Sequence, residues 1–219
     1  MRYGVAFDTY NTLTEWGLFL KGDMKISSPK LKSNRVDIPG ANGTKDMSYA
    51  LTGYPVFEDR QVQFNLFKSC DDMDLDELRM ELMNRFHGRK CKLWTPNNAD
   101  YYWYGTPEFG DHAGYNSGTI PCAMIVDPYR YKNDPTVVTM TLAANTQQQK
   151  TLHNAGMPTI PVFNCTSAAA ILCKGNTYNI AANTDYRNLG LMLIEDPTVI
   201  KVTAEANATM TITYQEGSL

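Results

Sequence analysis

The chain has 219 residues, 43% of them apolar and 20% charged, which suits one large or two small globular domains with a real core. A formal net charge of −3 argues against a broad phosphate-binding surface, which needs a basic excess. No stretch approaches the roughly 20 apolar residues of a membrane span, and MRYGVAFDTYNTLTEW lacks the apolar run of a signal peptide. No membrane association is expected, and synthesis in the cytosol is.

In chain order, the first segment of distinctive texture is VDIPGANGTKDMSYALTGYPVFEDRQVQFNLF, residues 36–67. Pro39 restricts the backbone while Gly40 and Gly43 permit positive φ, so PGANG reads as a defined turn in an extended arm. Tyr49, Leu51, Tyr54, Val56 and Phe57 supply apolar surface for a core or a neighbour. The segment ends in a strand, because Val62, Phe64 and Leu66 alternate with Gln61, Gln63 and Asn65.

DMDLDELRMELMNRFHG then predicts a helix. Leu75, Leu78, Leu82 and Phe86 fall on one stripe, Asp74 suits the N-cap and Gly88 the left-handed stop. The carboxylates of residues 71–77 run straight into this helix and lack the glycine and glutamate spacing of a calcium loop, so capping and the helix dipole account for them. KCKLW and YYWYG flank the polar TPNNAD, a hairpin signal. Along YYWYG, Tyr101 and Trp103 face one way and Tyr102 and Tyr104 the other, so one pair lines a core and the other is offered to a partner. GDHAGYNSG, which contains Tyr115, reads as an exposed loop, and TIPCAMIV as the next strand.

Past Asn133 the texture turns Thr-rich and poorer in charge. VVTMTL and ATMTITY alternate apolar and Thr positions, with Met140, Leu142, Met210, Ile212 and Tyr214 inward. Lys174-Gly175 makes a hairpin turn. The reading is mainly β: an α+β N-terminal domain with one core helix, residues 1–133, and a small C-terminal β-sandwich, residues 134–219.

Chemistry is sparsely signalled. The five cysteines and three histidines are scattered, with no C-x-x-C and no zinc spacing, so no metal, cofactor or catalytic residue is assigned, and His87, His112 and Cys122 stay unassigned. No G-x-S-x-G, H-E-x-x-H, G-x-G-x-x-G or phosphate-binding loop is present. Three N-x-T triplets, at Asn42, Asn164 and Asn207, match chance in so Asn- and Thr-rich a chain. The expectation is a protein that is not an enzyme.

Several short elements, in order, resemble the distal tail proteins of phages and prophages with long, non-contractile tails. They are Trp16-Gly17-Leu18, Val36-Asp37-Ile38-Pro39-Gly40 followed by Asn42-Gly43, Leu51-Thr52-Gly53, the strand at 60–67, His87-Gly88, the 101–105 strand, Asp127-Pro128-Tyr129-Arg130-Tyr131, and Tyr214-Gln215-Glu216-Gly217. The resemblance covers residues 1–133 well and the remainder loosely. It implies a structural baseplate hub in the virion tail: a ring, commonly hexameric, that joins the tail-tube protein to tail-tip proteins and lets DNA pass through its centre. The N-terminal domain builds such rings, partly through an arm that embraces the neighbour. Under that reading Pro39, Gly40, Gly43, Tyr49, Tyr54, Tyr102, Tyr104 and Tyr115 are candidate inter-subunit residues. Another tail-tube adaptor, or a carbohydrate-binding module using the Tyr102/Tyr104 face or the C-terminal sandwich, are the alternatives.

Overall fold

The computed structural model describes residues 3–69, 75–111 and 117–219. Two compact units divide the chain, Met1–Arg130 and Tyr131–Leu219, each with its own apolar core.

Unit 1 contains β1 (Ala6–Phe7), β2 (Tyr10–Asn11), α1 (Thr12–Trp16), β3 (Phe19–Ile26), β4 (Arg35–Asp37), β5 (Thr44–Asp46), β6 (Arg60–Ser69), α2 (Leu75–Phe86), β7 (Cys91–Thr95), β8 (Asn98–Phe109) and β9 (Ser117–Val126). Its main sheet runs β2-β1-β7-β8-β9-β6-β3, with antiparallel neighbours. The alternation read in residues 61–66 holds: Val62, Phe64 and Leu66 are buried and Gln61, Gln63 and Asn65 exposed. The apolar stripe of α2 is also as expected, with Leu75, Leu78, Leu82 and Phe86 all buried in the same core. Gly88 stops the helix at φ 71°. Its expected N-cap, Asp74, lies outside the described residues.

A second helix escaped the sequence reading. α1 spans five residues, too few for a periodic pattern. Asn11 caps it by accepting the Leu13 N–H at 2.9 Å, and Gly17 stops it in the left-handed region. Buried Thr12 holds it to the sheet, accepting the Val5 N–H at 3.1 Å.

β10 (Arg130–Lys132) lies at the division. Unit 2 continues with β11 (Thr136–Leu142), β12 (Gln148–Leu152), β13 (Val162–Cys165), β14 (Ala169–Cys173), β15 (Asn176–Ile180), β16 (Thr198–Ala204), β17 (Ala208–Tyr214) and β18 (Gly217–Ser218), plus a short 3-10 turn at Leu189–Leu191. Its two sheets, β11-β17-β13 and β12-β16-β14-β15, enclose a common core, the expected small sandwich. Met140 pairs with Met210, and both point inward with Leu142, Ile212 and Tyr214. Lys174 (φ 48°) and Gly175 (φ 82°) make the β14–β15 hairpin turn; two consecutive positive φ values match the right-handed twist of the strands. The fold is mainly β throughout.

Candidate assembly surface

Between β3 and β6 the chain makes a long excursion, residues 27–59, in which no residue is buried. β4 and β5 form a two-stranded hairpin within it, with Val36 opposite Lys45. Its turn carries Pro39, Gly40 (φ 84°) and Gly43 (φ 75°), so the expected turn is present and both glycines use the left-handed freedom assigned to them. Beyond β5 the chain is fixed locally: Met47 N–H donates to the Asn34 carbonyl at 2.7 Å and Asn34 N–H donates to Ser48 Oγ at 2.9 Å. The Ser48 hydroxyl and backbone N–H both donate to Asp46, which holds that carboxyl below the ordinary aspartate range.

The apolar side chains of this arm do not enter the unit's own core. Val36 (45%), Ile38 (43%), Tyr49 (45%) and Leu51 (99%) stand in solvent, and Tyr54 is half-buried. Of the two roles considered for this segment from sequence, core or neighbour surface, these exposed side chains do not take the first.

The arm's root is held firmly. Lys32 N–H donates to the Val56 carbonyl and Glu58 N–H to the Lys30 carbonyl, each at 2.8 Å, and Phe57 packs edge-on against Tyr129 with ring centroids 6.0 Å apart. Arg60, the first residue of β6, closes it from below: its Nε donates to the Ser27 carbonyl at 2.7 Å, Nη1 donates to the Pro128 carbonyl at 3.4 Å, and its guanidinium lies over the Trp103 ring at 4.7 Å. Burial, then the charge of Arg130, press its pKa below the ordinary arginine value. Arg60 was not singled out from sequence. A basic residue ahead of an alternating strand carries no local mark of a buried clamp.

The other expected partner surface is on the sheet. Trp103 is buried on the face covered by α2, while Tyr102 and Tyr104 lie half-buried on the opposite face, as the alternation required. Tyr102 packs against Trp94 with centroids 5.5 Å apart. Lys92 Nζ sits 4.4 Å from the Tyr102 centroid and 5.8 Å from that of Trp94; Lys90 Nζ lies 5.4 Å from Tyr104 and pairs with Asp127 at 3.3 Å. Burial, then neighbouring Tyr104, raises the Tyr102 pKa. Tyr115 and His112 lie outside the described residues.

Among the described residues no three His, Cys, Asp or Glu side chains are grouped to hold a metal ion. Cys91 and Cys122 are buried, and burial (for Cys91 with the Asp8 charge in addition) raises their thiols, Cys91 to about 12. Neither is expected to react with a thiol reagent at pH 8 until the chain unfolds, because the nucleophile is the thiolate. The same shifts set a pH dependence: above the free-thiol range near pH 8.5 the unfolded chain ionises and the folded one does not, so unit 1 loses stability as pH rises toward 12. Timed labelling in native buffer and in denaturant checks the first point, and denaturant midpoints from pH 7 to 10 the second.

Unit 1 holds a cleft of about 510 Å³ lined by residues that include Leu20, Met24, Ile26, Tyr101, Trp103 and Arg130. Sugar stacking needs a free ring face. Here Arg60 lies over one face of Trp103 and Arg130 lies 5.0 Å from the Tyr101 centroid, so each ring has a guanidinium on one side.

No protein-family model and no curated protein sequence matches the chain. A solved structure does: the crystal structure of the Dit (gp 19.1) protein of SPP1, described as a paradigm of the hub adsorption apparatus in phages that infect Gram-positive bacteria. It superposes over 99% of both chains with a TM-score of 0.66, at 13% sequence identity. The chain has the Dit fold. The resemblance to distal tail proteins read from short elements of sequence is thereby borne out at the level of the fold, for unit 2 as well as unit 1. At so low an identity it is the backbone arrangement that is held in common with Dit.

Proposed function

We propose that the chain is a structural hub protein of a phage tail tip, that it assembles head to tail into a ring, commonly hexameric in such hubs, and that it works without catalysis. The observation that carries this is the end-to-end fold likeness to SPP1 Dit, a hub adsorption protein. The arm supports it independently, since a monomer gains nothing by displaying Val36, Ile38, Tyr49 and Leu51 to water. Burying one such leucine against a neighbour contributes about 2 kcal/mol, and the contact is repeated at every junction of a closed ring.

In this reading unit 1 builds the ring through the arm (Pro39, Gly40, Gly43, Tyr49, Tyr54), the Tyr102/Tyr104 face and the loop containing Tyr115, while unit 2 projects outward. The ring joins tail-tube protein to tail-tip proteins, DNA passes through its centre without sequence-specific contact, and the chain is made in the host cytoplasm before entering the virion tail. Multi-angle light scattering tests it, on the intact chain and on a variant with residues 33–54 replaced by a short Gly-Ser linker. The intact chain is expected to reach a ring mass as concentration rises, and the variant to stay monomeric with an unchanged melting temperature. Equal association of both would remove the arm from assembly. A monomer at every concentration, and in the presence of tube protein, would remove the ring.

A further inference from the structure

We propose that Asn42 is a site of spontaneous covalent modification: its side-chain amide is lost to attack by the Gly43 backbone nitrogen, and the turn of the β4–β5 hairpin ages to aspartate and isoaspartate. Asn42-Gly43 is the one Asn-Gly pair among the 219 residues. This chemistry is independent of the ring reading, since it belongs to the single chain in water.

The reaction needs the Gly43 nitrogen to reach the Asn42 Cγ and close a five-membered ring, an approach that a side chain on the second residue obstructs. Gly43 has no side chain, and nothing lies within 4 Å of the place its Cβ would take. The ladder of the hairpin ends at the Asp37–Thr44 pair, so both reacting residues lie in the turn beyond it, where the backbone is free of the ladder's restraint. Asn42 is exposed, which admits water and hydroxide. Other asparagines are placed differently. The amides of Asn11, Asn154, Asn164, Asn188 and Asn207 are each held by a hydrogen bond, and the residues after them are Thr, Ala, Cys, Leu and Ala.

Hydroxide takes the Gly43 N–H proton, the nitrogen bonds to the Asn42 Cγ, and the Cγ–Nδ2 bond breaks with ammonia as the leaving group. Water then opens the cyclic imide. Opening at Cγ leaves aspartate, and opening at the main-chain carbonyl carbon leaves isoaspartate, in which the chain runs through the side chain and gains one methylene. The net exchange is amide and water for carboxylate and ammonium, with nothing oxidised or reduced. Each product adds a negative charge to the turn that follows Asp37. Isoaspartate also lengthens the connection between β4 and β5, whose ladder has only three pairs.

The test incubates the full chain at pH 9 and 37 °C, with circular dichroism to follow the fold and anion exchange to follow charge. Tryptic peptides are weighed, and an isoaspartyl methyltransferase reports the β-linked product. A more acidic species is expected to grow in while the dichroism stays unchanged, its mass gain confined to the peptide 36–45, and to form more slowly at pH 6. Asn42→Gln is expected to lose that species, and Gly43→Ala to slow it, with the melting of unit 1 as in the parent chain. An Asn42 that survives in the folded chain over a period that converts it in denaturant would overturn the proposal, because the turn would then be closed to the reaction. Conversion falling first on another asparagine, or only after the dichroism is lost, would overturn it equally.

Discussion

Leu78→Asp is expected to unfold the N-terminal unit. Leu78 is fully buried in α2, one turn from Leu75 and Leu82, within a core that also holds Phe7, Phe64 and Phe86. Removing the leucine forfeits about 2–3 kcal/mol of apolar burial, and an unpaired carboxylate in its place costs several more. Together these match the whole margin of a typical domain, about 5–15 kcal/mol. Met80→Asp, two residues along the same helix but 58% exposed, is expected to change stability by less than about 0.5 kcal/mol. Heteronuclear NMR at 25 °C separates the outcomes: the first variant loses the dispersed resonances of unit 1 and keeps those of unit 2, whose core is its own. Equal melting temperatures for the two variants would mean that α2 does not pack through this stripe.

Gly105→Ala has the next largest expected effect, and its cause is backbone geometry. An added Cβ would lie 2.0 Å from the Ile125 carbonyl oxygen and 2.6 Å from the Val126 Cα. Both are main-chain atoms of β9, and β8 is held between β7 and β9, so neither strand can yield without breaking its ladder. The cost is about 3 kcal/mol or more, at the upper end for overpacking. Gly43→Ala makes the contrast. Gly43 has φ 75° with open space around it, so its replacement strains the arm's turn by about 1–2 kcal/mol and leaves the melting of unit 1 unchanged. If Gly105→Ala melts like the parent chain, the β8–β9 register described here is wrong.

What could be read from sequence was what repeats locally. The spacing of Leu75, Leu78, Leu82 and Phe86 carries its own period, and so do the Val62/Phe64/Leu66 and Met210/Ile212/Tyr214 alternations. Pro39 with Gly40 and Gly43 announced a turn because each fixes or frees a backbone angle by itself. What was missed depends on long-range pairing. β1 and β2 are two residues each, and only their pairing with each other, and that of β1 with β7, makes them strands. Nothing near Arg60 signals that its charge is buried beneath the arm's root, between Ser27 and Pro128. The exposure of Leu51 was also out of reach, since a Tyr/Leu-rich segment fits a core as well as a neighbour. Of the candidate interface, the turn and the two faces of the 101–104 strand were legible, while the lysines that lie over those rings were not.

Electron microscopy of tail tubes assembled from the cognate tube protein, with and without the intact chain, tests the central claim most directly. The account predicts added density at one end of each tube: a ring with an open centre, built of copies of this chain, with its C-terminal units at the rim. Bare tube ends at saturating chain, or density of a single copy off the tube axis, would contradict it.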